Sequence, residues 1–317
     1  MHHLTSLVLL LSLVAAGSTP DQSKDDVNDI CTDPGSSSPL QLARKLHVPL
    51  ATETNSAEFE HASFWDDNGP LLQDAWNEWE MNNNIDTDVP LDLINPILSM
   101  ALDSAFDNPT EETESNVKSL WTTNTIHGID QSSLPFGVYA IQLLTPPGIA
   151  RIRHLLDMAT SAGIPTRRPN GMNRNGFIID SHVYGAVPIK SLVQLVEEEI
   201  INRVVRPVGR MLFPDRVGCN DDVEYFAFTI RYDGSDDDGS NGNEKANSKD
   251  FELKEHRDAS VVTLNINLNL DEGYHGSEVY FRGYPSEEST SNEKNENDNK
   301  HDGGSVRFSP GMSIIHL

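Results

Sequence analysis

Basic residues and cysteines are scarce in this chain of 317 residues. It holds 23 Lys and Arg against 49 Asp and Glu, and its formal net charge is −26. Nucleic acid and anionic membrane surfaces are bound by clustered cations, so neither is an expected partner. The two cysteines, Cys31 and Cys219, exclude a disulfide-dense scaffold, and the sequence leaves open whether they pair.

Long apolar runs are also missing, with one short exception at the N-terminus. Leu4 to Ala16 is an uncharged stretch that ends in small residues at Ala15, Ala16 and Gly17. It is too short to cross about 30 Å of hydrocarbon and is typical of the apolar core of a signal peptide. We therefore expect a signal peptide over residues 1–17, with a signal anchor as the alternative. The expected location is the secretory pathway, either the endoplasmic reticulum lumen or outside the cell.

The rest of the chain changes character near residue 135. Residues 18–134 are acidic and weakly patterned, although they contain all four tryptophans. One short amphipathic helix is predicted there, over residues 91–106. Residues 135–317 are predicted to form a single domain, with supporting helices over 145–218 and strands over 219–317.

Two helices are predicted in the supporting segment. Thr145 is a good N-cap, and Pro146 suits the first helical position. A second helix is predicted to begin near Ser191, where Ser191 and Gln194 could form a capping box. Pro207 is predicted to mark its end.

Short strands separated by loops follow these helices. The clearest is Val261–Leu270, in which even positions are apolar and odd positions from 263 onward carry Thr263 or asparagine. Low-complexity acidic segments over 233–250 and 286–302 are predicted to be flexible insertions. The predicted fold class is mainly β with flanking helices (α+β), in the form of a sandwich or barrel.

The motif His256-Arg257-Asp258 lies just before that strand. Residues two apart in extended backbone point to the same side, so the imidazole and the carboxylate could bind one ion. Two histidines and a carboxylate on one face of an octahedral ion are the ligand set of non-haem Fe(II) oxygenases. A bare His-x-Asp also arises by chance in solvated loops. The strand that follows favours a metal site. Val262 and Leu264 lie an even number of residues after His256 and Asp258, so in an extended chain all four would face the same side and predict an apolar interior around the pair.

A set of segments gives this motif a family context: RRPNGMNRNG (167–176), RPVGRMLFPD (206–215), YFAFTIRY (225–232), ELKEHRDASVVTLNINLNL (252–270), GSEVYF (276–281) and VRFSPGMSIIHL (306–317). In order and approximate spacing they resemble the prolyl/lysyl-hydroxylase type of 2-oxoglutarate oxygenase. More narrowly, they resemble the 2-oxoglutarate and iron-dependent oxygenase domain-containing protein 2 group. The resemblance implies a double-stranded β-helix, or jelly-roll, with helices supporting one side.

The resemblance also implies site residues and cofactors. His256 and Asp258 match the first two iron ligands. Tyr232 matches a position whose hydroxyl often binds 2-oxoglutarate, although an ordinary strand-end tyrosine is the alternative. The implied cofactors are Fe(II), 2-oxoglutarate as co-substrate, and ascorbate (vitamin C) as reductant.

The sequence departs from the family pattern near its C-terminus. The family has a further histidine ligand and then an Arg or Lys that pairs with 2-oxoglutarate. His316 is the only histidine near that place, and we expect it to be a strand residue rather than the third ligand. His275 and His301 are less suitable still, because no predicted strand fixes them. We therefore expect a jelly-roll without its last strands in a truncated sequence; a natural, inactive C-terminus is the alternative.

Two main functional hypotheses remain from the sequence, beside a third in which the domain is a cupin-like or carbohydrate-binding β-sandwich and the His-x-Asp motif is accidental. The first is a dioxygenase that hydroxylates a substrate C–H bond, with succinate and carbon dioxide as co-products. Its expected substrate is a protein or peptide, with peptidyl Pro or Lys as the default. The alternative is a catalytically inactive jelly-roll that acts as a binding or interaction module. The sequence predicts no oligomeric state.

Overall fold

A computed structural model of the protein describes most of the chain in separate stretches. The described residues are 5–15, 37–49, 62–85, 92–123, 134–169, 176–217, 223–233, 257–258, 260–270, 279–281, 305–306 and 309–317. Both cysteines and both predicted insertions, apart from Asp233, lie outside these stretches.

The centre of the fold is a five-stranded antiparallel sheet with the order β2-β7-β4-β1-β3. Its strands are β1 (Thr5–Ala15), β2 (Tyr139–Gln142), β3 (Val223–Asp233), β4 (Val262–Asn267) and β7 (Met312–His316). A small ribbon pairs β5 (Val279–Tyr280) with β6 (Ser305–Val306). The segment predicted as the core of a signal peptide therefore occupies an interior position in the sheet.

Helices precede and interrupt the strands along the chain. They are α1 (Pro39–Ala43), α2 (Ala62–Asn83), α3 (Pro96–Asp107), α4 (Glu111–Thr122), α5 (Pro146–Ser161), α6 (Lys190–Gln194), the π-helix Leu195–Val205, and α7 (Arg206–Leu212). Four of them, α1 to α4, lie within residues 18–134, so helical structure begins well before residue 145. Among the described residues, no helix is long and apolar enough to cross a membrane.

The two faces of the sheet differ in what covers them. Residues directly opposite each other in an antiparallel pair share a face, and Leu11, Leu264 and Ile315 are aligned in this way. They belong to the main hydrophobic core, to which helical residues and all four tryptophans contribute. This first face therefore carries the helical layer.

The second face carries two smaller apolar clusters. Leu10 packs with Ile178, Phe228 and Ile230 in one of them. Met312 and Ile314 pack with Phe281 of the ribbon segment in the other. In the register of the sheet, Asn265 lies between Leu10 and Ile314, so a polar position separates the two clusters.

Local sequence signals predicted some of the helix boundaries. Thr145 caps α5, as predicted, and its hydroxyl oxygen accepts a hydrogen bond from the Gly148 N–H at 3.1 Å. The predicted capping box at Ser191 is wrong, because α6 begins at Lys190 and the Ser191 hydroxyl is buried without a hydrogen-bond partner. Instead, Glu80 of α2 accepts the Lys190 backbone N–H at 2.7 Å.

Pro207 does not end the second helix as predicted. It is the second residue of α7, which continues the preceding helix without a break, since Val205 and Arg206 both have helical backbone angles. Its missing N–H therefore falls where π-helical hydrogen bonding changes to α-helical. The preceding 11 residues form a π-helix, which the sequence pattern did not predict. Together, the helices and the antiparallel sheet agree with the predicted α+β class.

Candidate metal centre

Asp258 reaches the second face of the sheet just before β4. The chain is described at Arg257 and Asp258 and again from Ser260, where residues 260–261 form a bend rather than a strand. The Asp258 carboxylate lies 3.8 Å from Nε2 of His316, and their side chains are only 13% and 9% exposed. The site therefore combines a largely buried carboxylate with a buried imidazole.

The structure corrects the predicted parity of this site. If residues 256–264 formed one regular strand, Asp258 would share a face with Leu264. His316 is instead paired with Thr263, so the carboxylate approaches the face of the odd-numbered residues. The bend at residues 260–261 allows this change of face. The apolar side of β4 packs into the helical core, and the side with Thr263 and the asparagines lines the site.

His316 is held by hydrogen-bonding groups at both ring nitrogens. Its Nδ1 lies 3.1 Å from the main-chain oxygen of Leu317, and its Nε2 lies 3.3 Å from Nδ2 of Asn265. An oxygen can only accept, so Nδ1 carries the proton in this arrangement, and Nε2 of the neutral imidazole accepts a hydrogen bond from the Asn265 amide. The Asp258 carboxylate therefore lies beside an imidazole nitrogen that Asn265 already contacts.

Asn265 contributes a buried polar atom that has no partner among the described residues. The residue is 8% exposed, and within the described part of the chain its Oδ1 makes no hydrogen bond. A buried acceptor without a donor costs roughly 1–3 kcal/mol. Such a cost at the centre of a polar cluster is typical of a site that binds another group.

Apolar residues surround this cluster. The ring of Phe281 meets the His316 imidazole edge-on, with 5.0 Å between ring centroids. Leu10 of β1 lies directly opposite Asn265 and is 6% exposed. Water is therefore largely excluded, which strengthens the electrostatic interaction of any ion with the carboxylate.

These donors suit a divalent metal ion. Two donors that each lie about 2.1 Å from one ion can be up to ~4.2 Å apart, so the 3.8 Å separation would admit a shared ion only if His316 exchanged its contact with Asn265 for the metal. Among the described residues, no group of three or more His, Cys, Asp or Glu side chains is arranged to hold a metal.

The other predicted site residues are only partly described. His256 lies outside the described residues, as do His275 and His301. The backbone of Tyr232 belongs to β3 and pairs with Ser6 of β1, but the description does not extend to its side chain. Of the predicted residues, the structure therefore places Asp258 in the site and adds His316 and Asn265 beside it.

Sequence reasoning missed Asn265 as a site residue. The alternation in Val261–Leu270 was visible, but its apolar side was the one predicted to surround the metal site. In the structure every position of β4 is buried. The run Asn265, Asn267 and Asn269 could have signalled this, because asparagine is depleted in ordinary strands.

A separate cavity of about 630 Å³ lies among the helices α3, α4 and α7 and the π-helix. Its lining includes Arg203, which is already paired with Asp103 at 2.7 Å and with Glu199 at 3.0 Å. Asp258, Asn265 and His316 do not line it. The cavity is therefore a different place from the candidate metal centre.

Two curated proteins are similar to this chain. One is the Arabidopsis thaliana protein named 2-oxoglutarate and iron-dependent oxygenase domain-containing protein ICU11, which is 26% identical over 187 residues, covering 57% of this chain and 39% of that protein. The other is the Xenopus tropicalis 2-oxoglutarate and iron-dependent oxygenase domain-containing protein 2, which is 24% identical over 135 residues, covering 42% of this chain and 32% of that protein.

These matches confirm the resemblance that the sequence motifs indicated. The chain spans about two fifths or less of the length of these curated relatives. No family model and no solved structure matches it.

Proposed function

We propose that this chain is a 2-oxoglutarate- and Fe(II)-dependent dioxygenase that hydroxylates a C–H bond of its substrate. The observation that carries the proposal is the buried cluster of Asp258, His316 and Asn265 on one face of the sheet. The names of the two similar proteins support the same chemistry. Peptidyl Pro or Lys is the proposed substrate, and succinate and carbon dioxide are the proposed co-products.

The proposed ligands are His256 and Asp258, with His316 beside them. Asp258 supplies a negative charge in a poorly solvated place, so it would bind a divalent cation more strongly than a surface carboxylate does. His316 orients the centre through Asn265 and presents Nε2 to the carboxylate. Bound iron would supply the activation of dioxygen, with 2-oxoglutarate as the co-substrate.

The other residues of the site would limit access to it. Leu10, opposite Asn265, and Phe281, against His316, are apolar neighbours that would keep bulk water away from the reacting groups. Tyr232 is the proposed partner of a 2-oxoglutarate carboxylate. A jelly-roll is the proposed completed architecture, in which the five-stranded sheet forms one wall.

The direct test measures metal binding and succinate release together. Purified protein is titrated with Mn²⁺ by calorimetry, then assayed with Fe(II), 2-oxoglutarate, ascorbate and a library of Pro- and Lys-containing peptides. Asp258→Ala is expected to abolish both signals, because it removes the charged ligand. Asp107→Ala, an exposed carboxylate at the end of α3, is the matched control and should change neither.

The alternative function is a catalytically inactive binding module. It is supported by the contact between the Asn265 amide and Nε2 of His316, which occupies the imidazole nitrogen nearest Asp258. That function predicts peptide binding without succinate release, and the same binding by Asp258→Ala. No Mn²⁺ binding together with no turnover would rule out the proposed dioxygenase.

A further inference from the structure

Strand β1 fills the gap between β3 and β4 in the interior of the sheet. It pairs with β3 from Thr5 to Ala15 and with β4 from Val8 to Leu13, antiparallel to both. In the order of the sheet, β3 and β4 have no ladder to each other. Without β1 the sheet would therefore divide into β2-β7-β4 and a separate β3, each with an unpaired edge.

Side chains of β1 are buried on both faces of the sheet. Leu9, Leu11 and Leu13 are fully buried in the main core. Leu10 points the other way and is 6% exposed. A strand buried on both faces is a near-continuous apolar run, which explains why this segment lacks the alternation of a half-exposed strand.

The same sequence has the features of a removable leader. Leu4 to Ala16 carries no charge and is followed by small residues, the pattern expected of a signal peptide. These two fates exclude each other, because a segment that is cut off and released cannot remain as the central strand. The uncharged, apolar composition that suits the segment for export also suits it for burial between β3 and β4.

The gap is coupled to the candidate metal centre. Leu10 lies opposite Asn265, whose Nδ2 is 3.3 Å from Nε2 of His316. Removing β1 would expose this side of Asn265 and free one edge of β4, the strand that follows Asp258. The site would then lose both an apolar wall and the strand that fixes its register.

We infer that the gap between β3 and β4 is a strand-acceptor site whose occupant is the chain's own segment Thr5–Ala15. Retention of this segment is therefore a condition for assembling the centre around Asp258. The inference rests on the proposed function only for the role of that centre. Retention or loss of the segment Thr5–Ala15 can be measured without any enzymatic turnover.

The test uses the full chain with a site-specific protease sequence inserted after Gly17. The protein is folded first and then cut, and the cut sample is examined by native size-exclusion chromatography and hydrogen exchange. The released fragment is expected to co-elute with the remainder, and the amides of β3 and β4 should stay protected. Loss of the fragment with unchanged protection would overturn the inference.

A pair of substitutions at one position controls for general damage. Leu11→Lys places a charge in the main core and should cause the fragment to dissociate after cutting, with at least about a hundredfold faster exchange in β3 and β4. Leu11→Met nearly conserves volume and should behave like the unchanged chain. Equal fragment retention by both variants would contradict the inference.

A cross-link tests the register in the uncut chain. Ser12 and Thr263 lie directly opposite each other in β1 and β4. The double variant Ser12→Cys with Thr263→Cys should form a disulfide between these positions, identified by peptide mass mapping. Failure to cross-link, or a folded secreted form that lacks residues 1–17 and has unchanged Mn²⁺ affinity, would overturn the inference.

Mn²⁺ titration distinguishes this inference from the proposed function. If the intact chain binds no metal while the fragment is retained as expected, the dioxygenase proposal fails and the acceptor site stands. If metal binding is strong and survives loss of the fragment, the acceptor inference fails and the proposed function stands.

Discussion

At the scale of single residues, the candidate centre depends on which protein groups form hydrogen bonds with the imidazole of His316. The sequence favoured His316 as an ordinary strand residue, and its place in β7 agrees with that expectation. Its distance of 3.8 Å from Asp258 was not predictable, because it depends on pairing between β4 and β7, about 50 residues apart. Sequence spacing predicts neighbours within a strand, whereas partners across strands follow from the register.

The role of His316 can be measured by comparing it with Asp258. Groups that orient a metal ligand typically contribute about 10–100-fold in affinity. We therefore expect His316→Ala to weaken Mn²⁺ binding by about that factor, while Asp258→Ala abolishes it. Calorimetry measures both, and His154→Ala, an exposed histidine on α5, should leave the affinity unchanged. If His316→Ala removed binding as completely as Asp258→Ala, His316 would be a ligand itself.

At the scale of elements, the turn before β7 fixes three strands at once. Gly311 donates its N–H to the Asn267 oxygen, and its own oxygen accepts from Leu143 and Leu144. Its φ is +73°, and an added Cβ would lie 2.5 Å from the Leu144 oxygen. The turn therefore requires glycine both for its backbone conformation and for the space around it.

Two glycine substitutions separate these requirements. Gly137 also has a positive φ, +79°, but an added Cβ there would meet nothing within 4 Å. We expect Gly137→Ala to lower the free energy of unfolding by about 1 kcal/mol through the backbone alone. Gly311→Ala should cost more, about 3 kcal/mol, because the neighbouring carbonyl must also move. Equal losses in urea unfolding would contradict the steric argument.

A second feature at this scale is the carboxylate that begins α6. Glu80 takes the place of the missing side-chain cap by accepting the Lys190 N–H. Burial raises the pKa of Glu80 above its ordinary value of 4.5, although the Lys190 N–H and the Lys190 charge lower it in part. Ionised Glu80 is therefore less stable in the folded chain than in the unfolded chain, relative to its neutral form.

The pH dependence of stability follows from that direction. In the pH range from 4.5 up to the raised pKa, the folded state binds more protons at Glu80 than the unfolded state does. The contribution of Glu80 to stability is present below this range and is lost as the pH rises through the folded pKa. Glu80→Gln keeps an acceptor for the Lys190 N–H and does not titrate.

The expected result is a stability difference that depends on pH. Unfolding midpoints of Glu80→Gln should rise relative to the unchanged chain as the pH increases from about 4 to 7. Glu80→Ala lacks the acceptor and should be less stable than Glu80→Gln by about 1 kcal/mol throughout. A constant difference between Glu80→Gln and the unchanged chain would show that Glu80 titrates equally in both states.

Sequence patterns predicted elements better than their junctions. Thr145 with Pro146 gave the start of α5 correctly, because an N-cap side chain accepts from a backbone N–H only two or three residues away. The start of α6 was missed, since its cap comes from Glu80, more than a hundred residues earlier. The π-helix was missed as well, because its apolar residues fit an α-helical period closely enough to predict an ordinary helix.

At the scale of the whole molecule, the helices and the sheet share one apolar core. Trp65, Trp76, Trp79 and Trp121 lie in α2 and α4, and all are at most 5% exposed. They belong to the same cluster as Leu264 of β4 and Ile315 of β7. The composition of residues 18–134 gave no sign of this, because the exposed acidic residues of α2, α3 and α4 outnumber the four buried tryptophans.

A shared core predicts that the helices and the sheet unfold together. Loss of packing in α2 or α4 would expose the core side of β4, so partial unfolding should not be populated. Tryptophan fluorescence reports on α2 and α4, whereas hydrogen exchange of the amides in β4 and β7 reports on the sheet. We expect both measurements to give the same midpoint in a urea titration. An earlier fluorescence transition with protected β4 amides would instead show that α1 to α4 form a unit that opens separately, and would remove the support that these helices give to the face opposite Asp258.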